Sequence, residues 1–454
     1  MNRCCWNYAY NGVHGSTCKS EMIPNVTVIK PFAIRSFLRG DYATTFSRSS
    51  GNYLLDQTRI STIYKFPAIP NNPTKKVTVG VISLGGGLFG KLNSTTKVLT
   101  EGDVQEHWIG NGIGTKLGSG IPVDGISTGV TYTGQPVVKI LGTGINAPST
   151  GDGYSTLNNT IVVETIGTIY PSPNLTIVLY IGTNTLDSLR DLINAAANDN
   201  TNNPSVLCIP WGAPESSFTL STITTETNTT TISGALKAAN AKGITICTAS
   251  GINGSSDIPD SKTTSPNAVD FPSSSPYCTS VGGSSLSYST IIDGYHEGES
   301  PWNISGGGVS KAFLRPSYQF SKIGGTSTSM RSIPDISFNA DPWTTGKYYF
   351  YPGVANANAF DGYVICGGTS ISAAIATAFF ALCVVNNKTF PVTNSANKKL
   401  YSATPDCFNK YGGIINPTSD THVDLNTAVF TPSKTYDNCT GLGSIIGTKL
   451  ISKL

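Results

Sequence analysis

The residues best placed to do chemistry lie in one stretch, Cys366 to Val385, which reads CGGTSISAAIATAFFALCVV. Gly367, Gly368, Thr369 and Ser370 open it and the most apolar run of the chain follows. A Ser at the amino end of a helix meets unbonded backbone N–H groups and the positive end of the helix dipole, which favour developing negative charge. That setting suits a nucleophile, provided a neighbouring base takes the hydroxyl proton. It equally suits a plain helix cap, a role Ser fills well. A third reading, a membrane span, needs roughly 20 apolar residues with interfacial anchors. The apolar part from Ile371 is about 15 residues, rich in Ala, with no flanking positive residues. The stretch is expected to be a buried core helix.

The elements around it alternate. KKVTVGVISLGGG (75–87) reads as a buried strand ending in glycines, and NLTIVLYIGTN (174–184) as a second strand followed by a helix in LDSLRDLINAAAND. PSVLCIPWG (204–212) is a third strand, TISGALKAANAKG (231–243) a helix stopped by Gly243, and ITICTASGING (244–254) a fourth strand. Apolar, β-branched strands alternating with helices predict an α/β fold: a doubly wound, mainly parallel sheet with helices on both faces. Sites in such sheets lie at the carboxyl ends of the strands. The loops after Leu84, Ile209 and Thr248 are therefore where chemistry is expected. The Thr-rich run STITTETNTTT (221–231) reads as a surface loop.

Of the 454 residues, 39% are hydrophobic and only 13% charged. Charged residues are about half as frequent as in an ordinary soluble domain. The net charge of +3 is not clustered, so no nucleic-acid partner is expected. No apolar run opens the chain, so no secretory signal is expected. Ten Cys form no CxxC pair and no zinc spacing; Cys208, Cys247 and Cys383 read as small buried hydrophobes. Cys4, Cys5 and Cys18 are either a local disulfide cluster or free thiols. Asn-x-Ser/Thr triplets recur, as chance alone produces in so Asn- and Thr-rich a chain.

Seven segments then occur in a telling order: VGVISLGGG, IPWGAPE, VDFPSSSPYCTSVGG, SGGGVSKAF, IPDISFNADPWTTG, ICGGTSISAAIATAFFAL and YDNCTGLGS. With them the chain resembles the sedolisins, serine-carboxyl peptidases of subtilisin-like fold. The likeness runs from about Tyr53 to the carboxyl end. It divides the chain into an amino-terminal Cys- and Tyr-containing arm (1–52), with no recognisable prodomain, and a sedolisin-like domain (53–454). The resemblance implies a three-layer subtilisin-like architecture. It also implies a Ser nucleophile, a Glu base, an orienting Asp and a protonated Asp that donates to the oxyanion. A carboxylate base places such chemistry in the acid range, and a carboxyl group that donates at that point needs a raised pKa.

Matched to the family pattern, Ser370 takes the nucleophile position. LNNTIVVETIGTIYP places Asn158 where the base Glu belongs and Val162 where the orienting Asp belongs. The i, i+4 spacing puts both on one helix face. In GING, Ile252 replaces the oxyanion Asp. Glu164 is expected to be a solvated or structural residue pointing away from this face. Asp152 lies upstream between two glycines, Asp257 is out of register, and Asn253 could offer only an amide N–H. The four His lack a subtilisin-type context, so no Ser-His-Asp triad is expected.

Trp211, Gly212, Gly306, Gly307 and Gly308 match positions lining the family's substrate cleft. For the calcium site that the resemblance implies, Asp437 keeps one ligand position and Lys410 replaces another Asp, so no cofactor is expected; Lys410 is expected to pair with Asp437 instead. The sequence therefore predicts a pseudopeptidase serving as a structural or binding protein, such as a coat or virion component, with a peptide, a protein or a copy of itself as partner. The competing expectation is an active acid-type endopeptidase or tripeptidyl-peptidase using Ser370 with displaced carboxylates.

Overall fold

The computed structural model describes residues 30–31, 34–35, 57–71, 75–119, 129–149, 152, 154–226, 228–255, 268–289, 295–323, 329–345, 347–349, 363–390, 394–409, 422–423, 429–430 and 435–454. In chain order, the elements that matter for the site begin with β1 (Val77–Ser83), α1 (Asp103–Gly110), β2 (Val137–Gly142), α2 (Ser155–Ile169) and β3 (Leu175–Ile181). They continue with α3 (Leu186–Ala197), β4 (Val206–Ile209), β5 (Trp211–Pro214), α4 (Ile232–Ala241) and β6 (Thr245–Ala249). Then come β7 (Thr279–Ser289), β8 (Tyr295–Pro301), β9 (Gly308–Leu314), β10 (Met330–Ile333), β11 (Ile336–Asn339), β12 (Lys347–Tyr349), β13 (Tyr363–Gly367) and α5 (Thr369–Val385).

An eight-stranded sheet forms the middle layer, in the order β8-β7-β6-β4-β1-β3-β2, with β11 also paired to β7. All of its pairings are parallel except β7–β8. The period of two along each strand sends alternate side chains to opposite faces. Val77, Val79 and Val81 of β1, Cys208 of β4 and Cys247 of β6 join one core with α2 and α5. Leu207, Ile209, Ile246, Val178 and Tyr180 join the other, with Leu189, Leu192 and Ile193 of α3 and Leu236 and Ala239 of α4. The predicted α/β architecture with helices on both faces is what forms.

Local chemistry sets the element ends. Thr185 caps α3 by accepting from the Ser188 N–H at 3.1 Å, and Thr231 caps α4 by accepting from the Gly234 N–H at 3.0 Å. Gly243 ends α4 in a left-handed conformation, φ +84°. The strand expected over 204–212 divides at Pro210, which has no N–H for a ladder. Beyond it, β5 leaves the main sheet and pairs with Asp270–Phe271. The expected surface loop at 221–231 includes a short helix, Leu220–Thr224.

The two site helices are unlike α3 and α4. Every residue of α2 and every residue of α5 is buried. A helix buried all round belongs to the interior, as α5's apolar sequence requires. α5 is 17 residues long and begins at Thr369, so Ser370 is its second residue. No helix among the described residues is long and apolar enough to cross a membrane.

Candidate functional site

Three loops meet at the amino end of α5. Thr369 Oγ1 donates to the Gly251 carbonyl at 3.0 Å and accepts from the Gly251 N–H at 3.2 Å. The Gly306 N–H donates to the Gly251 carbonyl at 2.8 Å, and Ser250 Oγ donates to the Gly306 carbonyl at 2.7 Å. The loops after β6 and before β9 and the start of α5 are thus tied together by two hydroxyls and one backbone bond. This is where the sheet topology places a site.

Ser370 is fully buried there, and its Oγ donates to the Pro210 carbonyl at 3.2 Å. A carbonyl cannot take a proton, so this bond holds the hydroxyl without activating it. Asn158 and Val162 are both fully buried on α2, which packs against α5. Asn158 Oδ1 and Nδ2 have no hydrogen-bond partner among the described residues. Val162 belongs to the apolar core, and Ile252, half-buried, packs against that same core. The structure therefore places Ile252's loop beside Ser370 and sets Asn158 and Val162 on the packed neighbouring helix. No hydrogen bond joins Ser370 to any of the three.

The other acid groups nearest in sequence that are described, Asp152 and Glu164, are engaged elsewhere. Asp152 Oδ2 accepts from the Thr156 N–H at 3.0 Å and from Thr156 Oγ1, at the start of α2. Burial raises its pKa, although these bonds counter the shift. Glu164 is not solvated, contrary to one expectation from the sequence. It is fully buried, with Oε2 at 3.3 Å from His107 Nδ1 on α1. Its place on the inward side of a helix buried all round explains the difference. His107 is also 3.0 Å from Gln57 Oε1 and stacks on Tyr348. Burial pushes His107 down to about 3, so the imidazole is neutral and the contact is not an ion pair. The seven described cysteines are buried, and burial pushes the Cys208 thiol up to about 12, which rules it out as a nucleophile.

The residues expected to line an open cleft are all buried: Trp211, Gly212, Gly306, Gly307 and Gly308. Two of the glycines are there for close approach. A Cβ on Gly306 would meet the Ser250 carbonyl oxygen at 2.1 Å, and one on Gly307 the Asn438 carbonyl oxygen at 1.9 Å. Glu215, the last residue of IPWGAPE, fixes this loop by accepting from Ser310 Oγ at 2.6 Å and the Lys311 N–H at 2.9 Å. Its signal in the sequence was a lone charge closing an apolar motif.

Asp437 Oδ1 accepts from the Cys439 N–H at 3.0 Å, the Thr440 N–H at 2.7 Å and Thr440 Oγ1 at 3.0 Å. These bonds commit that oxygen to its own turn, and no cluster of three or more His, Cys, Asp or Glu exists among the described residues. Lys410, its proposed pairing with Asp437, and Asp257 lie outside the described residues, as do Cys4, Cys5 and Cys18. A different pair was missed: Arg331 and Asp335, both fully buried, bonded at 3.0 Å and 2.7 Å.

The profile of the subtilase family matches residues 142–419. The chain belongs to that family. Over 435 residues this subtilase is 28% identical to kumamolisin from Bacillus sp. (strain MN-32), covering 93% of the chain and 67% of that relative. Its fold is similar to that of Pseudomonas sedolisin, a serine-carboxyl proteinase solved with two molecules of pseudo-iodotyrostatin. The TM-score is 0.64 at 22% identity, over 87% of this chain and 96% of that one. The sedolisin resemblance and the subtilisin-like α/β fold read from the sequence are both borne out.

Proposed function

We propose that this subtilase is a pseudopeptidase: a sedolisin-fold structural or binding protein whose former substrate cleft holds an extended peptide without cutting it. The observation that supports this most directly is the hydroxyl of Ser370, spent on the Pro210 carbonyl, while the amide of Asn158, at the expected base position, has no partner among the described residues. An amide cannot act as a base, and losing one member of a catalytic unit already cripples it. Val162 and Ile252 add no proton donor or acceptor. The low charge of the chain suits a structural role, including that of a coat component, and a copy of the chain is one candidate partner.

The test is hydrolysis of a mixed peptide library from about pH 3 to 7, the range in which a carboxylate base titrates. Ser370→Ala serves as control. No cleavage is expected from either protein. Cleavage that vanishes in Ser370→Ala would establish the active acid peptidase instead.

A further inference from the structure

A small cavity lies at the seam between α2 and α5, the helices that carry Asn158 and Ser370. Ile371 and Ile375, in the first turns of α5, meet Ile169 of α2 and Ile60 around it. The rest of its lining is polar: Thr165 of α2, Tyr348 of β12, Asn339 at the end of β11, and Gln57. About 10 Å³ is open to the centre of a water molecule. That is room for a single water, which needs about 10–15 Å³, and for no larger ligand.

The Tyr348 hydroxyl is short of a partner. Tyr348 is 1% exposed, and burial holds its phenol well above the ordinary pKa, so the proton stays on the oxygen and has to be donated. Its one hydrogen-bond neighbour among the described residues is Thr165 Oγ1, at 3.4 Å. The Thr165 proton goes to the Ile161 carbonyl at 2.7 Å. A hydroxyl carries one proton, so Thr165 has only a lone pair to offer Tyr348, across a distance too long for a good O–H···O bond. Tyr348 is not placed to swing closer. Its ring stacks on His107, 5.9 Å between centres and 7° between planes, and its backbone pairs with Val364 of β13. His107 is itself held 3.0 Å from Gln57 Oε1 and 3.3 Å from Glu164 Oε2.

We propose that this cavity is a binding site for one ordered water. The water accepts from Tyr348 Oη and donates to two oxygens among Thr165 Oγ1 and the side-chain amides of Gln57 and Asn339. That falls within the roughly two to four bonds a buried water makes, whereas a wholly apolar cavity stays dry. The water joins α2 to β11 and β12 behind the first turn of α5. The site stands apart from the pseudopeptidase reading and needs no peptide in the cleft.

A high-resolution crystal structure of the full chain should show a solvent peak in this cavity within hydrogen-bond distance of Tyr348 Oη. Featureless density there, or a Tyr348–Thr165 contact closed to an ordinary hydrogen bond, overturns the proposal. In solution, magnetic relaxation dispersion of the water oxygen counts long-lived internal waters. Thr165→Ile puts an ethyl group where the hydroxyl stood, and the variant is expected to lose one long-lived water relative to wild type. An unchanged count, in a variant whose circular dichroism shows it folded, overturns the proposal. If Thr165→Ile does not fold, the wild-type density decides alone. None of these outcomes bears on peptide hydrolysis, so failure here leaves the pseudopeptidase reading intact.

Discussion

Asn158 has two polar atoms buried without a hydrogen-bond partner among the described residues, each such loss costing about 1–3 kcal/mol. A Leu of similar volume would relieve that cost in a core already supplied by Val162 and Ile161. Asn158→Leu is expected to raise the urea midpoint by the equivalent of about 1–2 kcal/mol. A drop in stability would show that the amide is held by a group in the cleft. Ser370 contrasts with it, because its hydroxyl is satisfied. On the pseudopeptidase reading, the same physics explains how carboxylates could be lost: an amide and two aliphatics bury no charge, whereas carboxylates at these positions need partners or raised pKa values.

At the scale of elements, α1 and α2 are joined by the buried pair His107 and Glu164, with Gln57, Asn111 and Tyr348 around the imidazole. The folded His107 takes a proton only near pH 3, whereas the unfolded residue does so near 6.5. Between those values the unfolded state binds more protons, so this contribution to stability is present above about pH 6.5 and is lost as pH falls toward 3. The urea midpoint should therefore be lower at pH 4.5 than at pH 7, and His107→Gln should flatten the difference. The Arg331–Asp335 pair closes a different junction. Asp335 also accepts from Tyr401 Oη at 2.8 Å and the Ser280 N–H at 2.8 Å, and the Arg331 guanidinium lies 5.8 Å from the Tyr318 ring centre. Asp335→Asn leaves a buried guanidinium without its counter-charge, and equilibrium unfolding should show a loss of about 3–5 kcal/mol.

For the whole molecule, the parallel sheet gathers the loops after β4 and β6 and the start of α5 at one end, and the arm's two short strands reach that end from outside the sheet. The strands and the α3 and α4 helices were legible because period-two and 3.6-residue patterns, Thr caps and a terminal Gly are local signals. GGTS and GING were legible through the resemblance, which also carries the expectation that Asn158, Val162 and Ile252 stand at the family's acid positions. The sequence by itself determined the α/β fold and the family likeness, because strand and helix periodicity and the ordered motifs are carried by residue identity alone. Only the tertiary structure decided the rest: that Ser370 bonds the Pro210 carbonyl, that Glu164 meets His107, that Arg331 meets Asp335, and that Lys30–Pro31 pairs with β5 and Ile34–Arg35 with β13. Those pairings depend on which distant backbones approach within a hydrogen bond, and burial then sets their strength; neither is written in any local pattern of residues.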